Sequence, residues 1–147
     1  MKILALDIGD VHTGTALSDE LYITAQPYKT IPTQDLIKEL ETLFLVQPIK
    51  TVVVGHPKTM KGTDSAQTKT VVQTKEQLEK IFPKIKWVLW DERLTSKQAT
   101  AVRIGNKQKA SKESKAKEHS IAAAIILQTY LQFIAFCISE EPSLPHE

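Results

Sequence analysis

The stretch Ile3-Leu4-Ala5-Leu6-Asp7-Ile8-Gly9 decides how the chain is read. Four apolar residues run without a break, one carboxylate follows, and a glycine comes two positions later. A short unbroken apolar run closed by turn residues predicts a strand buried on both faces of a sheet. Asp7 then falls near the strand's carboxyl end, where a carboxylate is costly to bury unless it is paired or holds a cation. Gly9 and Gly14 permit a tight turn with close approach of a ligand or phosphate. The chain resumes as Thr15-Ala16-Leu17-Ser18, a second strand antiparallel to the first.

Further elements follow in both directions of the argument. Residues 21–31 read as a third, weaker strand, and Pro27 makes it an edge strand. Pro32-Thr33 opens a helix with Thr33 as its N-cap. Leu36, Ile37, Leu40, Leu43 and Phe44 give that helix one apolar face, and Pro48 ends it. Thr51-Val52-Val53-Val54-Gly55 is a second buried strand, rich in β-branched residues. A polar loop over 56–65 carries Pro57, Gly62 and Asp64. The spacing then predicts a helix over 67–81, with Val71, Leu78 and Ile81 inward. Lys86-Trp87-Val88-Leu89-Trp90 is a third strand of the parallel type, and it too ends in acid, Asp91-Glu92-Arg93. A helix over 94–102, capped by Thr95 or Ser96, leads into a basic linker and a long helix over about 117–137. Residues 121–138 are apolar enough to suggest a membrane span, but Gln128, Thr129 and Gln132 share one face. A helix packed on a sheet with that stripe outward is the reading taken, with no membrane partner. The elements define one α/β domain over 1–138 and a frayed tail over 139–147. Its sheet is mixed and five-stranded, the first three strands antiparallel and the last two parallel, with helices on both faces. Ligands of such sheets bind at the carboxyl ends of the parallel strands, where Asp7 and Asp91-Glu92 both fall.

The 147 residues, 41% hydrophobic and 24% charged, fit one globular domain with a real core. A single cysteine, Cys137, excludes an intramolecular disulfide and fits the reducing cytoplasm. One lysine followed directly by a strand, with no small-residue cleavage site, is not the pattern of a signal peptide. Charge is unevenly spread. Between Arg103 and Lys117 stand six basic residues and one acidic, a net +5, against −3 over the rest of the chain. Such a segment is either a solvated loop or the footprint of a polyanion. Without apolar periodicity, residues 105–117 are expected to be mobile until nucleic acid orders them.

Carboxylates that converge from separate strands repel one another unless a cation lies between them. Oxygen ligands suit Mg²⁺ or Mn²⁺, and two such ions about 3.5–4 Å apart can serve both the attacking and the leaving oxygen of a phosphodiester. The local alternatives are a turn carboxylate at Asp7 and a surface ion pair at Asp91-Glu92-Arg93. Adjacent strand residues point to opposite faces, so one of Asp91 and Glu92 reaches the ion directly. No Cys/His set has zinc spacing, no Ser/His/Asp order can be argued, and Gly55-His56-Pro57 is not a phosphate-binding loop.

Leu6-Asp7-Ile8-Gly9, Gly14, Ser18-Asp19, Ala25-Gln26-Pro27, Val53-Val54-Gly55, Asp91-Glu92-Arg93-Leu94-Thr95, Ala122-Ala123 and Ile126-Leu127-Gln128 occur in order. In these motifs the chain, from Lys2 to about Leu131, resembles the YqgF/RuvX family of the ribonuclease H-like superfamily. Asp-Glu-Arg-Leu-Thr after a buried strand is specific; the Leu-Asp-x-Gly start is shared with actin-like ATPases. The resemblance implies a ribonuclease H-like fold and a nuclease, described for the family as a pre-16S rRNA processing enzyme or a Holliday junction resolvase. It implies a metal-ligating role for Asp7 and for Glu92 or Asp91.

Three places depart from the family. Val11-His12 replaces a basic pair. His56-Pro57-Lys58-Thr59-Met60-Lys61-Gly62 replaces Leu-Pro-Leu-Asn-Met-Asp-Gly. His119, preceded by Glu118, stands where the last helix usually carries an aspartate. Histidine can also ligate a divalent ion or shuttle protons, so His119 or Glu118 is expected to complete the catalytic set. Lys107, Lys109, Lys112, Lys115 and Lys117 are expected to hold the nucleic-acid backbone, structured RNA first and branched DNA as the alternative. No dimer signal is present, and a monomer or weak homodimer is expected. Two rivals remain at this point: an actin-type nucleotide-binding fold, which needs a second related domain, and a catalytically inactive RNA-binding module, which the missing aspartate favours.

Overall fold

A computed structural model describes residues 1–56, 66–91 and 112–140. Strands β1 (Lys2–Ile8), β2 (His12–Ser18), β3 (Ala25–Pro32), β4 (Ile49–His56) and β5 (Lys86–Asp91) form one sheet in the order β3-β2-β1-β4-β5. β1 pairs antiparallel with β2, and β2 with β3; β1–β4 and β4–β5 are parallel. The mixed sheet read from the sequence is the one that forms. β1 takes its centre because its apolar run can be covered on both faces. Leu4, Leu6 and Ile8 join Val52, Val54 and Trp87 under α1 (Leu36–Val46) and α2 (Ala66–Ile81). Ile3, Ala5, Ala16 and Val53 lie under α3 (Lys112–Glu140). Leu36, Leu40 and Leu43 bury the expected face of α1, and Val71 and Leu78 that of α2.

Several boundaries and contacts differ from expectation. β2 begins at His12, before Thr15, because its ladder with β1 runs down to Ile8↔Thr13. β3 begins only at Ala25. The Asp19 carboxylate accepts from the Ile23 and Thr24 amides at 2.7 and 2.9 Å, which takes Leu21 and Ile23 out of the ladder and into solvent. Pro27 is on the edge strand, as expected. Thr33 caps no helix; it lies in a 3₁₀ turn (Thr33–Asp35), and its hydroxyl goes to the β1–β2 turn instead. Ile81 is 39% exposed, since α2 ends there and the chain turns away. Residues 112–117, expected to be mobile linker, already belong to α3, as their Lys, Glu and Ala content favours. Thr129 is buried, not outward: its hydroxyl accepts from the Trp90 indole N–H at 3.1 Å. A buried indole needs such a partner. His119–Cys137 is long and apolar enough to cross a membrane, yet its Ala123, Ala124, Ile126, Leu127 and Leu131 are buried against the sheet, as the packed-helix reading requires. The helix expected over 94–102 lies outside the described residues.

Candidate functional site

Strand alternation decides which side of the sheet Asp7 faces. Ile3 and Ala5 look toward α3, so Asp7, two residues further along, does the same. Its side chain is 20% exposed. Burial pushes its carboxyl above the ordinary value, and the nearby His119 pulls in the other direction without cancelling the effect.

His119 reaches Asp7 because Gly14 has no side chain. Gly14 pairs directly with Asp7 across β1 and β2. The backbone of α3 at His119–Ser120 lies on that glycine. A Cβ there would overlap the His119 carbonyl and come within 2.5 Å of the Ser120 nitrogen. With the helix seated this closely, His119 Nδ1 is 3.5 Å from Asp7 Oδ2.

The β1–β2 turn is braced from a third element. The Gly9 amide donates to the His12 carbonyl at 3.0 Å. Thr33 donates its hydroxyl to the Gly9 carbonyl at 2.7 Å, meets the Thr13 hydroxyl at 2.9 Å and gives its amide to the Val11 carbonyl at 2.9 Å. A Cβ on Gly9 would stand 2.7 Å from the His12 carbonyl and 3.3 Å from His119 Cε1. The turn thus presses against the imidazole. His12 is exposed at the rim, its ring centroid 6.1 Å from that of His119.

The other candidates divide. Asp91 pairs with His56 across β4 and β5. Val88 and Trp90 lie on the α3 side and Trp87 and Leu89 on the opposite one. Alternation therefore turns Asp91 away from Asp7, and it does not join the Asp7–His119 pair. His56 shares the Asp91 side; its Nε2 is buried without a hydrogen-bond partner among the described residues. Glu92, Lys107 and Lys109 lie outside the described residues. Lys112, Lys115, Lys117 and Glu118 are described only as backbone of the first turns of α3.

His12 and Thr33 lie around the Asp7–His119 pair, a placement that sequence reading did not anticipate. A signal for His12 existed: Ala16, Gly14 and His12 alternate on the α3 face of β2. For Thr33 there was none, because its partners are 20 and 24 residues away.

A carboxylate whose charge is disfavoured by burial, beside an imidazole nitrogen, is a donor pair that fits a divalent cation. Among the described residues no third His, Cys, Asp or Glu converges with them. A cation held there would take its further ligands from outside the described residues, from water or from substrate.

A central strand ending in such a carboxylate, in a sheet of this order and sense with helices on both faces, defines the ribonuclease H-like class. The family model described as "RuvX: Holliday junction resolvase" matches residues 1–133. The chain belongs to that family, a family of nucleases, and its chemistry is hydrolysis of phosphodiester bonds. Among its relatives is a Christiangramia forsetii protein named "Putative pre-16S rRNA nuclease", 40% identical over 131 residues, covering 88% of this chain and 97% of the relative. Proteins of the same name from Clostridium tetani (39% identical, 91% and 98% covered) and Phocaeicola vulgatus (37%, 89% and 95%) match similarly. Among solved structures, T. thermophilus RuvC in complex with a Holliday junction substrate superposes with a TM-score of 0.57 over 92% of this chain and 96% of that one, at 10% identity. A likeness so remote in sequence establishes the fold alone.

Proposed function

We propose that the protein is a cytoplasmic, divalent-metal-dependent endonuclease that processes the 5′ end of pre-16S rRNA in ribosome biogenesis. The observation that carries this reading is the part-buried Asp7 carboxylate with His119 Nδ1 3.5 Å away, at the carboxyl end of the central strand. The name shared by relatives that match nearly end to end supports RNA as the substrate. The family's own description favours branched DNA as a second reading.

Asp7, His119 and Glu92 would hold the ion, Mg²⁺ or Mn²⁺. Glu92 is preferred to Asp91 because the alternation that gives the α3 face Val88 and Trp90 gives Asp91 the other face. When bound, the cation stabilises charge on the phosphoryl group and lowers the proton affinity of water. The protein's own groups do the rest. Gly14 lets the helix bring His119 over Asp7, and Thr33 keeps the turn beneath the imidazole from moving. His119 Nδ1, 3.5 Å from Asp7 Oδ2, sets an imidazole donor beside the carboxylate. Glu118 is the reserve donor in the same helical turn. Lys107, Lys109, Lys112, Lys115 and Lys117 neutralise backbone phosphates. The enzyme acts as a monomer or weak homodimer.

The test is cleavage of a 5′-extended 16S precursor RNA and of a four-way DNA junction by the full chain, in Mg²⁺ or Mn²⁺ and in EDTA. The expected result is metal-dependent cutting of the RNA, lost by about 100-fold or more in Asp7→Asn. An Asp7→Asn variant that cut at the wild-type rate would overturn the assignment. Cutting of the junction alone would replace RNA by branched DNA.

A further inference from the structure

At the opposite end of the sheet from Asp7, the amino ends of β1, β4 and β5 line an open cavity of about 330 Å³ with α3 and the β2–β3 turn. Ile3 and Ile134 form an apolar floor, Tyr22 and Tyr130 supply aromatic walls, and Lys50 and Lys86 supply charge. No aspartate or glutamate lines it. Lys50 Nζ sits 4.9 Å from the centre of the Tyr22 ring, and neither lysine is in a salt bridge among the described residues. Two exposed lysines thus border a pocket lined by no carboxylate, and the ammonium of one of them lies over the Tyr22 ring.

The wall beside Lys50 is held in an unusual conformation. Tyr22 has φ +62°, the one non-glycine residue with positive φ among the described residues. A bulky aromatic residue there is an outlier, and such strain persists only where the surroundings enforce it. The enforcing group is Asp19, whose carbonyl accepts the Tyr22 amide at 3.3 Å and whose carboxylate ties down the next two amides. Tyr130 is nearly buried, and burial pushes its phenol above the ordinary value, against the pull of Lys50. It stays a neutral hydroxyl.

We propose that this cavity binds one nucleotide unit, its base against Tyr22 and its phosphate between Lys50 and Lys86. A purely apolar ligand would make no use of the two lysines, and a bare anion would leave the aromatic wall and isoleucine floor without a partner. A nucleotide uses both: bases stack on aromatic rings regardless of sequence, and lysine is a point charge for phosphate. The size fits one unit, since small-molecule sites begin at about 300 Å³. The unit is either a free mononucleotide or one residue of a bound strand. Ile3 and Asp7 are four residues apart on one strand, about 13 Å, so both sources are within reach.

The experiment is an NMR titration of the full chain with AMP, adenosine and inorganic phosphate in turn. AMP is expected to shift the amides around Tyr22, Lys50, Lys86 and Tyr130, and to bind about tenfold or more tighter than adenosine or phosphate. Lys50→Met and Tyr22→Asn should each weaken AMP by about tenfold; asparagine tolerates positive φ, so the second variant keeps the turn. Thermal melts confirm that both variants fold. A 2′-O-methyl RNA octamer that displaces AMP identifies the unit as part of a bound strand; an octamer that binds together with AMP identifies a free nucleotide. The proposal falls if AMP gives no localised shifts, if phosphate binds as tightly as AMP, or if neither substitution weakens it in a folded variant.

Discussion

Gly14→Ala tests how the site is assembled. The added methyl would fall on the His119 carbonyl and within 2.5 Å of the Ser120 nitrogen, both main-chain groups that cannot rotate aside. To restore an ordinary contact of about 3.4 Å with the His119 carbonyl, the start of α3 must rise from the sheet by roughly 1.5 Å, which also loosens Ala123, Ala124 and Leu127. Overpacking typically costs about 1–3 kcal/mol. Two backbone partners place this case at the upper end, about 3 kcal/mol, or a fall in Tm of about 6–12 °C for a domain of this size. His119 would move with the helix, and a displacement of about 1 Å can cost about 100-fold in rate. Thermal unfolding by circular dichroism reads the first effect and single-turnover cleavage at saturating metal reads the second. Gly9→Ala is the comparison. Its methyl meets one carbonyl and the tip of an imidazole that can turn, so it should destabilise less. Gly14→Ala melting within about 2 °C of wild type and cutting normally would refute the close-seating argument. A destabilised variant with full activity would spare that argument and remove His119 from the reaction.

The metal-free protein should lose stability relative to Asp7→Asn as pH rises. Burial raises the folded Asp7 carboxyl above its ordinary 3.8, so its contribution is full below that value and lost as pH climbs through the raised one. Urea unfolding in EDTA across that range checks this; a pH-independent difference, or one of opposite sign, counts against it. Thr33→Val should cost about 1–2 kcal/mol, because the Gly9 carbonyl and Thr13 hydroxyl lose their partner, and should lower Tm by about 2–8 °C. Replacing Lys109, Lys112 and Lys115 by alanine should flatten the slope of log affinity against log salt by about 2 for single-stranded RNA and weaken all sequences alike. An unchanged slope in filter binding would mean that these lysines touch no phosphate.

The sheet was legible because its signals are local and agree with one another. The unbroken run Ile3–Leu6 can only be satisfied in the middle of a covered sheet, and Pro27 can only sit at an edge. The partner of Asp7 could be proposed from the family resemblance but not located. Its position follows from a missing side chain on Gly14, and nothing near His119 in sequence reports that. Thr129 shows the same limit. Three- and four-residue spacing groups it with Gln128 and Gln132, but the spacing does not say which neighbour needs a hydroxyl. The Trp90 indole, 39 residues away, needs it. Thr33 failed as a cap for a related reason: a hydroxyl serves the helix start or the turn, and tertiary packing chose the turn.

The two tryptophans of this chain fall three residues apart on β5 and on opposite faces of the sheet. Trp87 packs under α1 and α2 and donates to the Phe82 carbonyl at 3.1 Å; Trp90 packs under α3 and donates to Thr129 at 3.1 Å. Each layer therefore carries its own fluorophore, tied to it by a hydrogen bond. A chain with Trp87→Phe emits only from the layer that seats His119, and one with Trp90→Phe only from the other. Stopped-flow traces of the pair would time the docking of α3 separately from the closing of the opposite core, with no dye attached.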